Sequence, residues 1–127
     1  MRSLPAIILI LVTALVTSSF VSATEPDSAG VKFFESKIRP VLVDHCFACH
    51  SAGAKEVKGG LLLDSRAGVL KGGTKGPVIV AGHPDQSRLV KALHHEGALK
   101  MPPDGKLPEA VIKDFTTWIE MGAPDPR

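Results

Sequence analysis

Cys46-Phe47-Ala48-Cys49-His50 decides how the rest of the chain is read. Two thiols three residues apart, followed at once by an imidazole, form the attachment pattern of a c-type haem. In a helix, positions i and i+3 share a face and lie about 5–6 Å apart at Cβ. From that separation both sulfurs reach the two vinyl-bearing edges of one porphyrin as thioethers. His50 follows on the same turn and is the expected proximal iron ligand. The motif uses both cysteines of the chain, so no other thiol competes for them.

Three blander readings compete with this one. A redox Cys-x-x-Cys pair usually opens a helix after a strand in a βαβ unit, a pattern absent from this sequence. A zinc site needs four ligands, and although His94 or His95 could complete Cys46, Cys49 and His50, structural zinc sites favour paired dipeptide spacings. Chance occurrence is the third. In a short exported chain whose cysteines both fall in the motif, haem attachment is favoured over all three.

Residues 1–23 have the form of a signal peptide. Arg2 gives a short positive start, Ala6 to Val16 is apolar, and Val21-Ser22-Ala23 is a small-residue cleavage site that leaves Thr24 as the new N-terminus. The apolar run is shorter than the ~20 residues that span a bilayer. Membrane association is therefore expected only if the leader stays uncleaved, and the expected location is periplasmic. Export also suits covalent haem attachment, which takes place outside the cytoplasmic membrane.

About 104 residues remain, enough for one domain. The formal charge of +2 falls to about +1 without Arg2, so neither nucleic acid nor an anionic membrane surface is indicated. Five Phe, one Trp and no Tyr make a thin core for this length. A buried porphyrin supplies apolar mass, and the haem-free chain is expected to fold poorly.

Residues 24–32 read as a flexible N-terminal tail. Phe33, Phe34, Ile38, Val41, Leu42 and Cys46 follow at helical spacing, interrupted by Pro40. A short helix or turn around Phe33–Lys37 is therefore expected, then a break, then a helix from Pro40 through Cys49 with His45 facing solvent. Residues 51–82 hold eight of the twelve glycines and read as irregular backbone laid over a flat cofactor. No phosphate-binding glycine motif stands among them. Asp64-Ser65 caps a short helix Arg66–Lys71, and Val78-Ile79-Val80 reads as a short extended piece. Pro84 opens a helix carrying Leu89, Val90 and Leu93, which fades by Glu96-Gly97. A rigid prolyl segment, Lys100 to Lys106, leads to a last helix from Pro108 to Gly122. Its buried face is Val111, Ile112, Phe115, Trp118 and Ile119.

For the sixth iron position Met101 is the first choice, a thioether in a loop stiffened by two prolines. His94 and His95 are the alternatives as bis-histidine ligands. Met121, at the end of a packing helix, reads as core.

From Phe33 to Pro124 the chain resembles the planctomycete-type cytochrome c domain. The residues that carry the resemblance are Ile38-Arg39-Pro40-Val41-Leu42, Cys46 to His50, Lys58-Gly59-Gly60-Leu61, Gly82 to Leu89, Lys100-Met101-Pro102-Pro103 and Trp118 to Pro124. The resemblance implies a small, all-α cytochrome-c-like domain wrapped around one covalent haem c, with a Met axial ligand at the Met-Pro-Pro segment. The domain is expected over 33–124, with 125–127 as a C-terminal tail.

Together these readings describe an exported monohaem c-type cytochrome that moves one electron at a time and is not itself an enzyme. A basic rim drawn from Lys37, Arg39, Lys55, Lys58, Lys71, Lys75 and Lys100 would steer an acidic redox partner protein. A haem sensor or small-ligand binder, and a haem peroxidase using His94 or His95 as acid/base, are the alternatives. Both require an open iron.

Overall fold

Pro40 shapes the first half of the fold. It has no amide hydrogen, and inside a straight helix its ring would collide with the carbonyl four residues back. The computed structural model describes residues 28–127, and in it a widened turn removes that collision. Helix α1 (Ser28–Phe33) passes into a π-turn over Phe34–Ile38, and helix α2 (Arg39–His45) follows with Pro40 in its first turn. The Arg39 amide donates back five residues to the Phe34 carbonyl. The expected break at Pro40 is thus a bulge in a continuous helical run. That run begins at Ser28, inside the stretch expected to be a tail. The leader and cleavage site lie outside the described residues.

Helix α2 also ends earlier than expected, at His45 rather than beyond Cys49. The amides of Cys46 and Phe47 both donate to the Leu42 carbonyl, at 3.0 and 2.9 Å, which closes the helix. Ser65 caps helix α3 (Arg66–Lys71) as its sequence predicts, its hydroxyl accepting from the Gly68 amide at 3.1 Å. Pro84 opens a separate 3₁₀ turn, Pro84–Gln86, and helix α4 (Arg88–Leu93) starts only after Ser87. The fully buried Ser87 hydroxyl accepts from the Val80 amide at 2.9 Å and donates to the His83 carbonyl at 2.9 Å, joining the two sides of that turn. Helix α5 (Glu109–Glu120) is the longest, and Gly122 ends it in the left-handed conformation.

The architecture is all-α. Among the described residues there is no strand, and Gly73 and Gly76 form an isolated bridge. Val78-Ile79-Val80 is irregular, held by the Leu89 amide donating to the Val78 carbonyl at 2.9 Å. No helix among the described residues is long and apolar enough to cross a membrane.

Helix α5 presents Ile112, Phe115, Trp118 and Ile119 to the core, with Val111 partly buried beside them. The π-turn packs against this face through Phe34 and Ile38. Trp118 is the hinge of the packing, its ring centroid 5.7 Å from Phe34 and 6.2 Å, edge-on, from Phe115. Its indole N–H donates to the Pro124 carbonyl at 2.8 Å. Met121 belongs to none of this. It is 41 % exposed, because the helix ends there and its side chain falls on the solvent side.

The last residues, expected as a tail, are docked. The Arg127 guanidinium lies over the Phe34 ring at 4.9 Å, donates to the Leu63 carbonyl at 2.9 Å and pairs with the buried carboxylate of Asp125 at 2.7 Å. Removing the central ring leaves a cavity that neighbouring elements cannot fill. Trp118→Ala is expected to lower stability by about 3–5 kcal/mol, and Trp118→Phe by clearly less. Guanidinium unfolding followed by far-UV circular dichroism measures both.

Candidate functional site

The segment Cys46 to His50 is a turn rather than part of a helix. The Cys49 and His50 amides both donate to the Cys46 carbonyl, at 3.1 and 2.9 Å. Both thiols are free and partly buried, and His50 is partly buried beside them. One compact turn therefore brings the three motif residues together, and no long helix is needed to do so.

What holds the imidazole is the strip of chain from Lys58 to Leu63. Lys58 donates its amide to the Cys49 carbonyl at 3.0 Å, and Leu63 donates to the His50 carbonyl at 2.7 Å. Between them, His50 Nδ1 lies 3.2 Å from the Leu61 carbonyl oxygen. A carbonyl oxygen has no proton to give, so this bond requires the hydrogen on Nδ1. The neutral ring then keeps its lone pair on Nε2, the form in which imidazole binds a metal.

The glycines of Lys58-Gly59-Gly60-Leu61 make that approach possible. Gly59 and Gly60 both have φ of +62°, a left-handed turn that side chains resist. A second glycine loop braces the strip, with the Thr74 amide donating to the Gly59 carbonyl at 2.8 Å. At Gly73 a Cβ would sit 2.5 Å from the Gly59 oxygen, so the two backbones touch with no room for a side chain.

Burial, with the neighbouring Cys49 adding to it, pushes the Cys46 thiol up from 9.0 to about 11. At neutral pH Cys46 is a protonated, weakly reactive thiol. A redox dithiol needs the opposite shift. Among the described residues no three His, Cys, Asp or Glu side chains gather into a group that could hold a bare metal ion. The donor set fits an iron that brings most of its own ligands: two thiols for covalent tethering and one imidazole with its lone pair directed.

Met101 is partly buried in the prolyl loop after α4. Its amide donates to the Ala92 carbonyl at 3.0 Å, and the His95 amide donates to the same oxygen at 3.1 Å. The two neighbouring histidines differ sharply. His94 Nδ1 lies 3.4 Å from Glu109 Oε1, in a shallow groove lined by Ala110, Lys113 and Thr116. His95 Nε2 is buried without a hydrogen-bond partner, as is Arg88 Nε. His45 is exposed, as expected. Of the basic residues, Arg39 pairs with Glu35 at 2.9 Å and Lys58 with Glu56 at 2.6 Å, which mutes both as steering charges.

Two contributors escape a reading of the sequence. The Leu61 carbonyl is a backbone group and has no residue signature. Arg88 looks like any surface arginine, yet its guanidinium is turned inward, where Nη2 donates to the Gly76 carbonyl at 3.0 Å and Nε has no acceptor.

The model of the family described as Planctomycete cytochrome C matches residues 46–105, from the first thiol to the end of the Met-Pro-Pro loop. No curated protein and no solved structure matches the chain.

The buried thiol makes a pH prediction for the chain produced without maturation, under conditions where circular dichroism shows native helix. Cys46 is expected to resist iodoacetamide at pH 8 and to gain reactivity about tenfold per pH unit toward pH 11. Because the folded thiol keeps its proton beyond the ordinary 9.0, its contribution to stability is present below that pH and is lost between about 9 and about 11. Peptide mapping of the alkylated sites gives the rate, and a rate at pH 8 equal to that of free cysteine would contradict the burial.

Proposed function

Residues 46–105 belong to the planctomycete-type cytochrome c family, and from that premise we propose that the chain is an exported monohaem c-type cytochrome that transfers single electrons. The observation that carries this reading is the His50–Leu61 bond at 3.2 Å, which leaves Nε2 as the free donor of an imidazole fixed beside two free thiols. When bound, the haem supplies reversible one-electron chemistry at its iron.

The chain's own residues have distinct tasks. Cys46 and Cys49 tether the cofactor. His50 Nε2 would be the proximal ligand, and the Leu61 carbonyl, 3.2 Å from Nδ1, would hold the ring in one orientation and make it a stronger donor. Met101 is the side chain that would supply a second, thioether ligand to the haem iron, a ligand type that favours the reduced state and so raises the potential. Arg88, with Nη2 on the Gly76 carbonyl and Nε unpartnered, would be available to pair with a carboxylate of the cofactor. If His50 and Met101 both ligate the haem iron, no position would be open to substrate, which favours carriage over turnover. Exposed Lys37, Lys55, Lys71, Lys75 and Lys100 offer a surface for an acidic redox partner.

The decisive experiment is an optical spectrum of protein matured in a host with c-type maturation genes. A red protein that keeps its pigment through acid acetone, with a six-coordinate low-spin spectrum in both redox states, is expected. Colourless protein, or pigment lost to acid acetone, sinks the reading. Met101→Ala should remove the methionine–iron charge-transfer band of the oxidised form and lower the potential, as measured by spectroelectrochemistry. An unchanged band would exclude Met101 as the ligand.

A further inference from the structure

Leu63 is held on three sides. Its amide donates to the His50 carbonyl at 2.7 Å, its carbonyl accepts from Arg127 Nη1 at 2.9 Å, and its side chain is buried in the core. Two residues upstream, the Leu61 carbonyl meets His50 Nδ1 at 3.2 Å. One residue downstream, the Asp64 carboxylate accepts from the Ala52 amide at 2.7 Å. The strip 61–64 is thus bonded repeatedly to residues 50–52, and Arg127 reaches it from 64 residues away.

The Arg127 guanidinium has little freedom to move. Nε and Nη2 grip the two oxygens of Asp125 at 2.9 and 2.7 Å, and the Arg127 amide binds the same carboxylate at 3.0 Å. The guanidinium carbon lies over the buried Phe34 ring at 4.9 Å. Taking both charges out of water is costly, and apolar side chains would fill the same space without that cost. What apolar packing cannot do is fix a carbonyl in one direction. A guanidinium whose fork is already locked on a carboxylate can.

We propose that Arg127, locked by Asp125, is a positioning residue for His50. By fixing the Leu63 carbonyl it sets how firmly the Leu61 carbonyl holds the Nδ1 proton and in which plane the imidazole lies. The inference rests on the haem reading above. It adds to the site a residue from outside the family match at 46–105, acting through the backbone of the strip.

The test uses the matured holoprotein and the variants Arg127→Met, Arg127→Lys and Ile112→Ala. Methionine keeps an apolar stem but gives Leu63 no donor, whereas lysine keeps the charge and a donor without the fork. Ile112→Ala opens a cavity on α5 and controls for lost stability. Pyridine haemochrome spectra come first, and the absence of a c-type spectrum in the unmodified protein refutes the haem reading itself. In the reduced protein, NMR measures exchange of the His50 Nδ1 proton and the Leu63 amide proton, each relative to the α5 amides. In the oxidised protein, the pattern of haem methyl shifts reports the plane of the ligating imidazole. Arg127→Met should speed both relative exchange rates by about tenfold or more and alter the methyl pattern, with Arg127→Lys intermediate on both. Ile112→Ala should leave the relative rates and the methyl pattern as they are. With covalent haem present, unchanged relative exchange and methyl shifts in Arg127→Met overturn the proposal. Equal changes in Ile112→Ala overturn it too, because lost packing then accounts for both. Should Arg127→Met not accumulate, Arg127→Lys alone decides, a rise of about threefold or more in relative exchange supporting the proposal and a smaller one overturning it.

Discussion

A single hydrogen bond, from His50 Nδ1 to the Leu61 carbonyl, is the constraint on which the site depends. It settles which ring nitrogen carries the hydrogen, and therefore which one is left to bind a metal. A carbonyl can perform this task only if its strand of chain is held still. That is the work of the backbone bonds at Lys58 and Leu63 and of the second loop behind Gly59. The cysteines need only be near one another. The histidine needs a direction, and most of residues 58–76 serves to give it one.

The other half of the site is organised differently. Helix α4 carries Arg88 at its start and leads to His95 and Met101 after its end, so one short element positions three side chains of different chemistry. Its own placement comes from burial of Leu89, Val90 and Leu93 and from the Ser87 hydroxyl, which ties the preceding turn together. The Cys46–His50 turn is thus fixed by backbone hydrogen bonds, and α4 by packing together with the Ser87 hydroxyl.

Much of this was legible in the residues. The Ser65 cap and the apolar face of α5 each have a local chemical cause, and each stands where the pattern put it, whereas the thiol and imidazole motif lies on a turn instead of the expected helix. The misses share another origin. Pro40 suggested a break, but a π-turn accommodates it at the expense of one irregular hydrogen bond, a solution that depends on what Phe34 packs against. Helix α2 stops before the motif because two amides compete for Leu42, which no propensity reveals. Met121 follows the helical spacing of its neighbours but falls beyond the end of the buried face. Residues 125–127 contain too little apolar surface to suggest docking, and they are held instead by Arg127 reaching Leu63 and Phe34. Backbone carbonyls and long polar side chains act over distances that a linear pattern does not encode.

The contact at Gly73 has a wider implication. A residue that contributes no functional group is nonetheless barred from carrying even a methyl, since that methyl would press on the Gly59 oxygen and displace the strip that steers the imidazole. Mutational tolerance along this chain should therefore map mechanical transmission as much as chemistry. A survey of substitutions would mark a chemically mute position, two layers of loop away from the His50 imidazole, as among the least forgiving in the molecule.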